Sequence, residues 1–174
     1  MRTLANRARL EAFLVSFDKE TRGHGRIYLV GGATAIWHGW RETTIDIDLK
    51  ADPEPAGFFE AISRLKESLD INIELASPDL FIPELPGWRE RSLFISRLHR
   101  TEFFHYDPYS QTLAKIERNH PRDLSDARQM VALGLVTKNA IMPHFEAIEP
   151  ALIRFPAIDP ATFRKAVEEF VSSP

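Results

Sequence analysis

Cysteine is absent from the 174-residue chain. That excludes a disulfide framework, a Cys-based zinc site and a thiol nucleophile, and it fits a reducing compartment. Long apolar runs are missing too: none approaches the roughly 18 residues that a membrane-spanning helix needs. The first 17 residues are charged and amphipathic, unlike the apolar centre of a secretory signal. The expectation is a soluble, cytoplasmic protein with no membrane partner. Neither sign of charge dominates, with 22 Lys and Arg against 25 Asp and Glu and a net charge of −3. A chain-wide electrostatic grip on nucleic acid is therefore not expected, and only a small local patch (Arg89, Arg91, Arg97, Arg100) stands out. Repeats and low-complexity segments are also lacking.

What is present is ordinary for a folded domain: 44% apolar and 27% charged residues. A chain of this length buries about 70% of its unfolded surface without staples. Apolar spacing predicts a helix over 3–17. A short apolar strand follows at 26–30, then two glycines and a short helix at 33–40. Period-two alternation marks strands at 44–50 and 71–75, with a helix between them carrying Phe58, Phe59, Ile62, Leu65 and Leu69. Residues 77–88 hold three prolines and a glycine and read as an irregular loop. A hairpin is expected over 93–98 and 102–106. Helices follow at 109–119, 124–135, 138–152 and 160–171. This order implies an α+β fold with an α/β core over 1–107 and a helical part over 108–174 packed on the same core.

Asp46 and Asp48 are separated by one residue on the second strand. Side chains at i and i+2 share a face, roughly 6–7 Å apart, while Ile45, Ile47 and Leu49 point to the other. Adjacent carboxylates repel unless water screens them or a cation lies between. Hard divalent ions take carboxylate and phosphate oxygens together. Glu74 is a charge within the next apolar strand, placed to join them if the strands pair. From alternation alone, the three acids also read as the wet face of a half-exposed sheet. The glycines shift that weighting. Gly31-Gly32 runs from a strand directly into a helix, where glycine lets a phosphate approach the backbone and the helix start offers free N–H groups.

Strand, Gly31-Gly32, short helix and Asp46-x-Asp48 strand, with Glu74 on a later strand, resemble the nucleotidyltransferase superfamily with the polymerase-beta-like fold. The subgroup most similar is that of minimal nucleotidyltransferases related to AbiEii-type toxins of toxin–antitoxin systems. Its marks here are Arg41, the Thr43-Thr44-Ile45-Asp46-Ile47-Asp48 run, Lys115 and Arg122-Asp123-Leu124-Ser125-Asp126. The stretch from Phe81 to Trp88, with Asp107-Pro108-Tyr109 and Lys115 to Arg118, looks like the DUF6036-type nucleotidyltransferases.

The resemblance implies a nucleotidyltransferase-like mixed sheet flanked by helices. It implies a metal-dependent enzyme that passes a nucleoside monophosphate from an NTP to an acceptor, releasing pyrophosphate. Asp46, Asp48 and Glu74 would be the catalytic and metal-binding acids, with Mg²⁺ or Mn²⁺ as the ion. Gly31, Gly32, Arg41, Thr44, Lys115 and Asp123 would hold the nucleotide or support those that do. The acceptor would be tRNA or other RNA, a protein hydroxyl or a small molecule, and a cognate antitoxin would be a partner. Two departures stand out. Gly31-Gly32 replaces the more usual Gly-Ser and removes a hydroxyl contact, and Glu74 replaces an aspartate. The alternative is a catalytically degenerate member that acts by binding a partner protein. Lys115 also reads as a snorkelling surface lysine, Asp123 as a helix-start acid or salt-bridge partner, and Arg41 as a surface arginine.

Overall fold

The computed structural model describes residues 2–173. They form eight α-helices and five strands. In order these are α1 (Arg7–Glu20), β1 (Gly25–Val30), α2 (Gly32–His38), β2 (Asp46–Ala51), α3 (Phe58–Ser68), β3 (Asn72–Leu75), α4 (Trp88–Arg91), β4 (Leu93–Arg97), β5 (Thr101–His105), α5 (Pro108–Arg118), α6 (Pro121–Ala132), α7 (Lys138–Ile148) and α8 (Pro160–Ser172). Short 3₁₀ turns span Pro78–Leu80 and Glu149–Arg154. The fold is the mixed α+β arrangement expected. No helix among the described residues is long and apolar enough to cross a membrane.

The chain divides into two compact units. One comprises Met1–Ser77 and Ser92–Tyr106, the other Pro78–Arg91 and Asp107–Pro174. In the first unit the strands lie in the order β3-β2-β1-β5-β4. β1 runs antiparallel to β2 and parallel to β5, β2 runs parallel to β3, and β4 closes one edge antiparallel to β5. One sheet face presents Ile27, Leu29, Ile47, Leu49, Ile73 and Phe103 to apolar side chains of α1 and α3. There Phe17 meets Phe13, Phe58 and Phe103 with ring centroids 5.6, 5.8 and 6.1 Å apart. In the second unit α5 packs on α6, α7 and α8, with Phe145 edge-on to Phe163 at 4.9 Å.

Several boundaries differ from the pattern-based expectation, for identifiable reasons. The first helix begins at Arg7, because Asn6 caps it by accepting from the Arg9 N–H. The residues before it run extended, and Ala5 bridges Thr44. Ile45 lies outside the regular strand, which begins at Asp46, and is 62% exposed rather than core-facing. The helix expected from residue 124 starts at Pro121, which suits a first-turn position that needs no N–H donor. The helix expected over 138–152 stops at Ile148 and tightens into the 3₁₀ turn containing Pro150. The proline-rich stretch is irregular as read, with one 3₁₀ turn and the start of α4 at its end.

The aromatic contacts of Phe17 give a direct check. Phe17→Ala is expected to cost about 3–5 kcal/mol, read as a lowered urea midpoint, since Phe17 is fully buried among three other rings.

Candidate functional site

The site builds outward from the turn between β1 and α2. Gly31 has φ +58°, a conformation that side-chain-bearing residues rarely adopt. Space is tight at Gly31 and closed at Gly32. A Cβ on Gly31 would lie 3.1 Å from Asp48 Oδ2, and one on Gly32 would overlap the Thr44 hydroxyl and come within 2.6 Å of Thr44 Cβ. The turn therefore brings Gly31, Gly32, Thr44 and Asp48 into one place. Thr44 is buried, so its role there is close packing beneath Gly32.

Register explains the acids. β2 runs back along β1 with Asp48 opposite Val30, and β3 runs beside β2 with Glu74 opposite Asp48 and Asn72 opposite Asp46. Residues that face each other across a ladder share a sheet face. Asp46, Asp48, Asn72 and Glu74 thus occupy one corner of the face opposite the apolar core. Asp46 and Asp48 are half-buried, and Glu74 is exposed.

Asn72 is a site residue that the sequence reading passed over. Its amide Nδ2 donates to Asp46 Oδ1 and, at 3.1 Å, to Glu74 Oε1. It links two like charges through one neutral donor group. The signal for it was available, because Asn72 stands two residues before Glu74 and the alternation puts both on one face. Among the described residues no group of three or more His, Cys, Asp or Glu side chains is arranged to hold a metal ion. The pair Asp46 and Asp48 does have the oxygen donors suited to Mg²⁺ or Mn²⁺. The space kept clear at Gly31 beside Asp48 Oδ2 is one that a Cβ would fill.

Arg41 sits beyond the far end of α2, where its N–H reaches the Ala35 carbonyl. It lines a cleft with Asn6, Arg7, Trp37, His38 and Glu42. Arg7 covers the Trp37 ring, its guanidinium carbon 3.7 Å from the centroid. His38 stacks on Trp40 at 5.7 Å. The Arg41 backbone thus folds back on α2 one turn beyond Gly31, whose carbonyl accepts from the Ala35 N–H.

Lys115 and Asp123 belong to the second unit, where they meet. Lys115 Nζ lies 3.2 Å from Asp123 Oδ1 and 2.8 Å from Asp126 Oδ2. Arg118 Nε adds a 3.4 Å ion pair to Asp123. Both carboxylates are buried, and Lys115 is nearly so. The salt-bridge alternative read for Asp123 is realised. The i, i+3 spacing on α6 aims both acids at one lysine from α5.

Beneath the glycine turn, His105 ends β5 opposite Leu29. Its Nδ1 shares a 3.1 Å hydrogen bond with the Thr34 hydroxyl, and its ring lies 4.8 Å from that of His38. Burial, then the neighbouring His38 and Arg7, lowers its pKa from the ordinary 6.5 to about 3. Burial and Arg7 lower His38 as well.

Two predictions follow from these burials. Lys115→Met removes the cation from two buried carboxylates and is expected to destabilise the protein by about 3–5 kcal/mol in urea unfolding. The Lys115→Met/Asp123→Asn/Asp126→Asn triple variant is expected to recover part of that loss. Between pH 6.5 and about 3 the unfolded chain takes up a proton at residue 105 that the folded chain refuses. Stability is therefore lost progressively as pH falls through that window. His105→Gln is expected to show a shallower decline in the urea midpoint over the same range. Compared with protein-family models, curated proteins and solved structures, the chain finds no match in any of the three.

Proposed function

We propose that the protein is a metal-dependent nucleotidyltransferase that transfers a nucleoside monophosphate from an NTP to an acceptor. One observation carries the reading: Gly31, held at positive φ, lies directly against Asp48 at a strand-to-helix turn, with Asp46 on the same strand face. The phosphates of an NTP would approach the bare backbone of Gly31-Gly32, where a side chain would block them. Asp46 and Asp48 would hold Mg²⁺ or Mn²⁺, which when bound supplies charge neutralisation for the triphosphate. Glu74 stands opposite Asp48 to accept a proton from the acceptor nucleophile or to aid the metal. The protein's own contribution is positioning and charge, with no covalent intermediate. The acceptor is a tRNA end, a protein hydroxyl or a small molecule. The protein would serve as the toxin of a toxin–antitoxin pair in the cytoplasm, restrained by a cognate antitoxin.

Asn72 favours a second reading. Its amide already occupies oxygens of Asp46 and Glu74, as suits a degenerate member that binds a partner protein instead of catalysing.

Thermal unfolding with each of the four NTPs, with and without Mg²⁺ or Mn²⁺, separates the two. Saturation at a hundred times the dissociation constant stabilises by about 2.7 kcal/mol. The expected result is a metal-dependent rise in Tm with at least one NTP that is lost in Asp46→Asn/Asp48→Asn. Absence of any shift favours the partner-binding reading.

A further inference from the structure

The sheet face that carries the acids changes character along its length. At the end opposite Gly31-Gly32, about 17 Å away along β1 at roughly 3.3 Å per residue, it turns basic and aromatic. Arg26 on β1, Glu102 on β5 and Arg97 on β4 fall in one row. Glu102 receives Arg26 Nε at 2.8 Å, while Arg97 stands off at 3.9 Å. His24 and Arg100 complete a cleft around this row. Two guanidinium groups thus share one carboxylate, and a third, Arg100, lines the same cleft with its Nη1 donating to the Thr21 carbonyl at 3.0 Å. Asp18, behind Arg100, is committed to the backbone N–H groups of Arg100 and Thr101. The arginine patch read from the sequence is redrawn by this arrangement, since Arg91 is engaged bidentately with Asp107 and is not part of the cleft.

The next row on the same face is aromatic. Phe94 packs edge-on against Phe104 at 5.5 Å, and Phe104 stacks on Tyr28 at 5.3 Å. Phe94 and Arg97 are three apart on one strand and would normally point to opposite faces. A register shift between Phe94 and Ser96 alters that, so that Phe94 pairs with Phe104 and Arg97 with Glu102. Phe104 and Glu102 share a face, and so do Phe94 and Arg97. Bulges of this kind re-aim side chains. Here the result is a phenyl ring 61% exposed beside a guanidinium side chain 68% exposed.

We infer that this end of the sheet binds single-stranded nucleic acid, with a base stacked on Phe94 and backbone phosphates at Arg97, Arg100 and Arg26. Stacking platforms next to arginines are the chemistry of sequence-tolerant single-strand binding. The site is separate from the Gly31-Gly32 turn and does not depend on the reading of that turn.

The test is fluorescence anisotropy of a labelled ten-nucleotide oligouridylate with the full chain, over a series of salt concentrations, with tripolyphosphate titrated by calorimetry in parallel. Arg97→Gln/Arg100→Gln is expected to weaken oligonucleotide binding at least tenfold and to reduce the salt slope by about 1.4, two phosphate contacts at about 0.7 each. Arg97→Gln alone, at an exposed position, is expected to remove about half that slope. Phe94→Ser is expected to weaken the oligonucleotide severalfold and leave tripolyphosphate unchanged. Asp46→Asn/Asp48→Asn is expected to bind the oligonucleotide like the wild type, so failure of the nucleotidyltransferase reading leaves this result intact. The inference is overturned by an oligonucleotide that does not bind the wild type, or by arginine variants that bind it unchanged. It is also overturned by loss of binding in the aspartate variant alone, or by a Phe94→Ser protein that binds as tightly as wild type.

Discussion

The first unit depends on two glycine constraints: residue 31 needs a positive φ, and at residue 32 nothing larger than hydrogen fits beside Thr44. Gly31 must take a positive φ to turn the chain from β1 into α2, and Asp48 stands where its side chain would be. Gly32 must lie against Thr44, and Thr44 in turn exchanges backbone hydrogen bonds with Ala5. The turn, the start of β2 and the extended segment before α1 are therefore a single packed arrangement. The close approach that seats Asp48 beside bare backbone also anchors the helix over the sheet. A change at this point propagates into three elements, because each touches the next without slack.

The sheet then divides labour between its faces. Alternation sends Ile47, Leu49 and Ile73 to the apolar core and leaves Asp46, Asp48 and Glu74 opposite. Charge placed on the core side would require paired, fully satisfied ions. On the other face the acids keep partial access to water, which screens them. Two carboxylates about 6–7 Å apart repel by roughly 2–3 kcal/mol at an effective dielectric near 20, and by less with solvent access. The same face ends in arginines, so its field runs from negative at the glycine end to positive at the far end. The second unit handles charge differently. It buries Asp123 and Asp126 and places Lys115 between them, so removal of any member leaves an expensive remainder.

Legibility in the sequence followed physical range. Features set by local chemistry were readable: the apolar run before Gly31-Gly32, the period-two strands, and the i, i+3 acids on α6. Features set by pairing across the chain were not. Alternation placed Ile45 with the core, but the regular strand begins at Asp46 and Ile45, beside the Ala5–Thr44 bridge, is exposed. Asn72 carried the right spacing, but a neutral amide draws no notice until the register puts it opposite Asp46. The bulge in β4 has no sequence mark such as a glycine, so the shared face of Phe94 and Arg97 emerges only from the ladder.

Asn72 is the residue on which the two functional readings meet. An amide group has two hydrogens, and here they serve two carboxylates. That satisfies Asp46 and Glu74 locally without neutralising either, so the repulsion between the acids persists. A divalent cation relieves that repulsion where an amide cannot, because it brings opposite charge. It need not displace the amide, because Asn72 reaches only Oδ1 of Asp46 and a carboxylate offers two oxygens. On the nucleotidyltransferase reading, Asn72 then preorganises the ligand oxygens. On the partner-binding reading, it is a permanent substitute for the ion. The difference lies in whether removing the amide frees the acids or disorders them. The parallel pairing of β3 with β2 holds Glu74 opposite Asp48 through backbone hydrogen bonds alone. The ladder therefore places the residues, while Asn72 orients the carboxylate oxygens of Asp46 and Glu74.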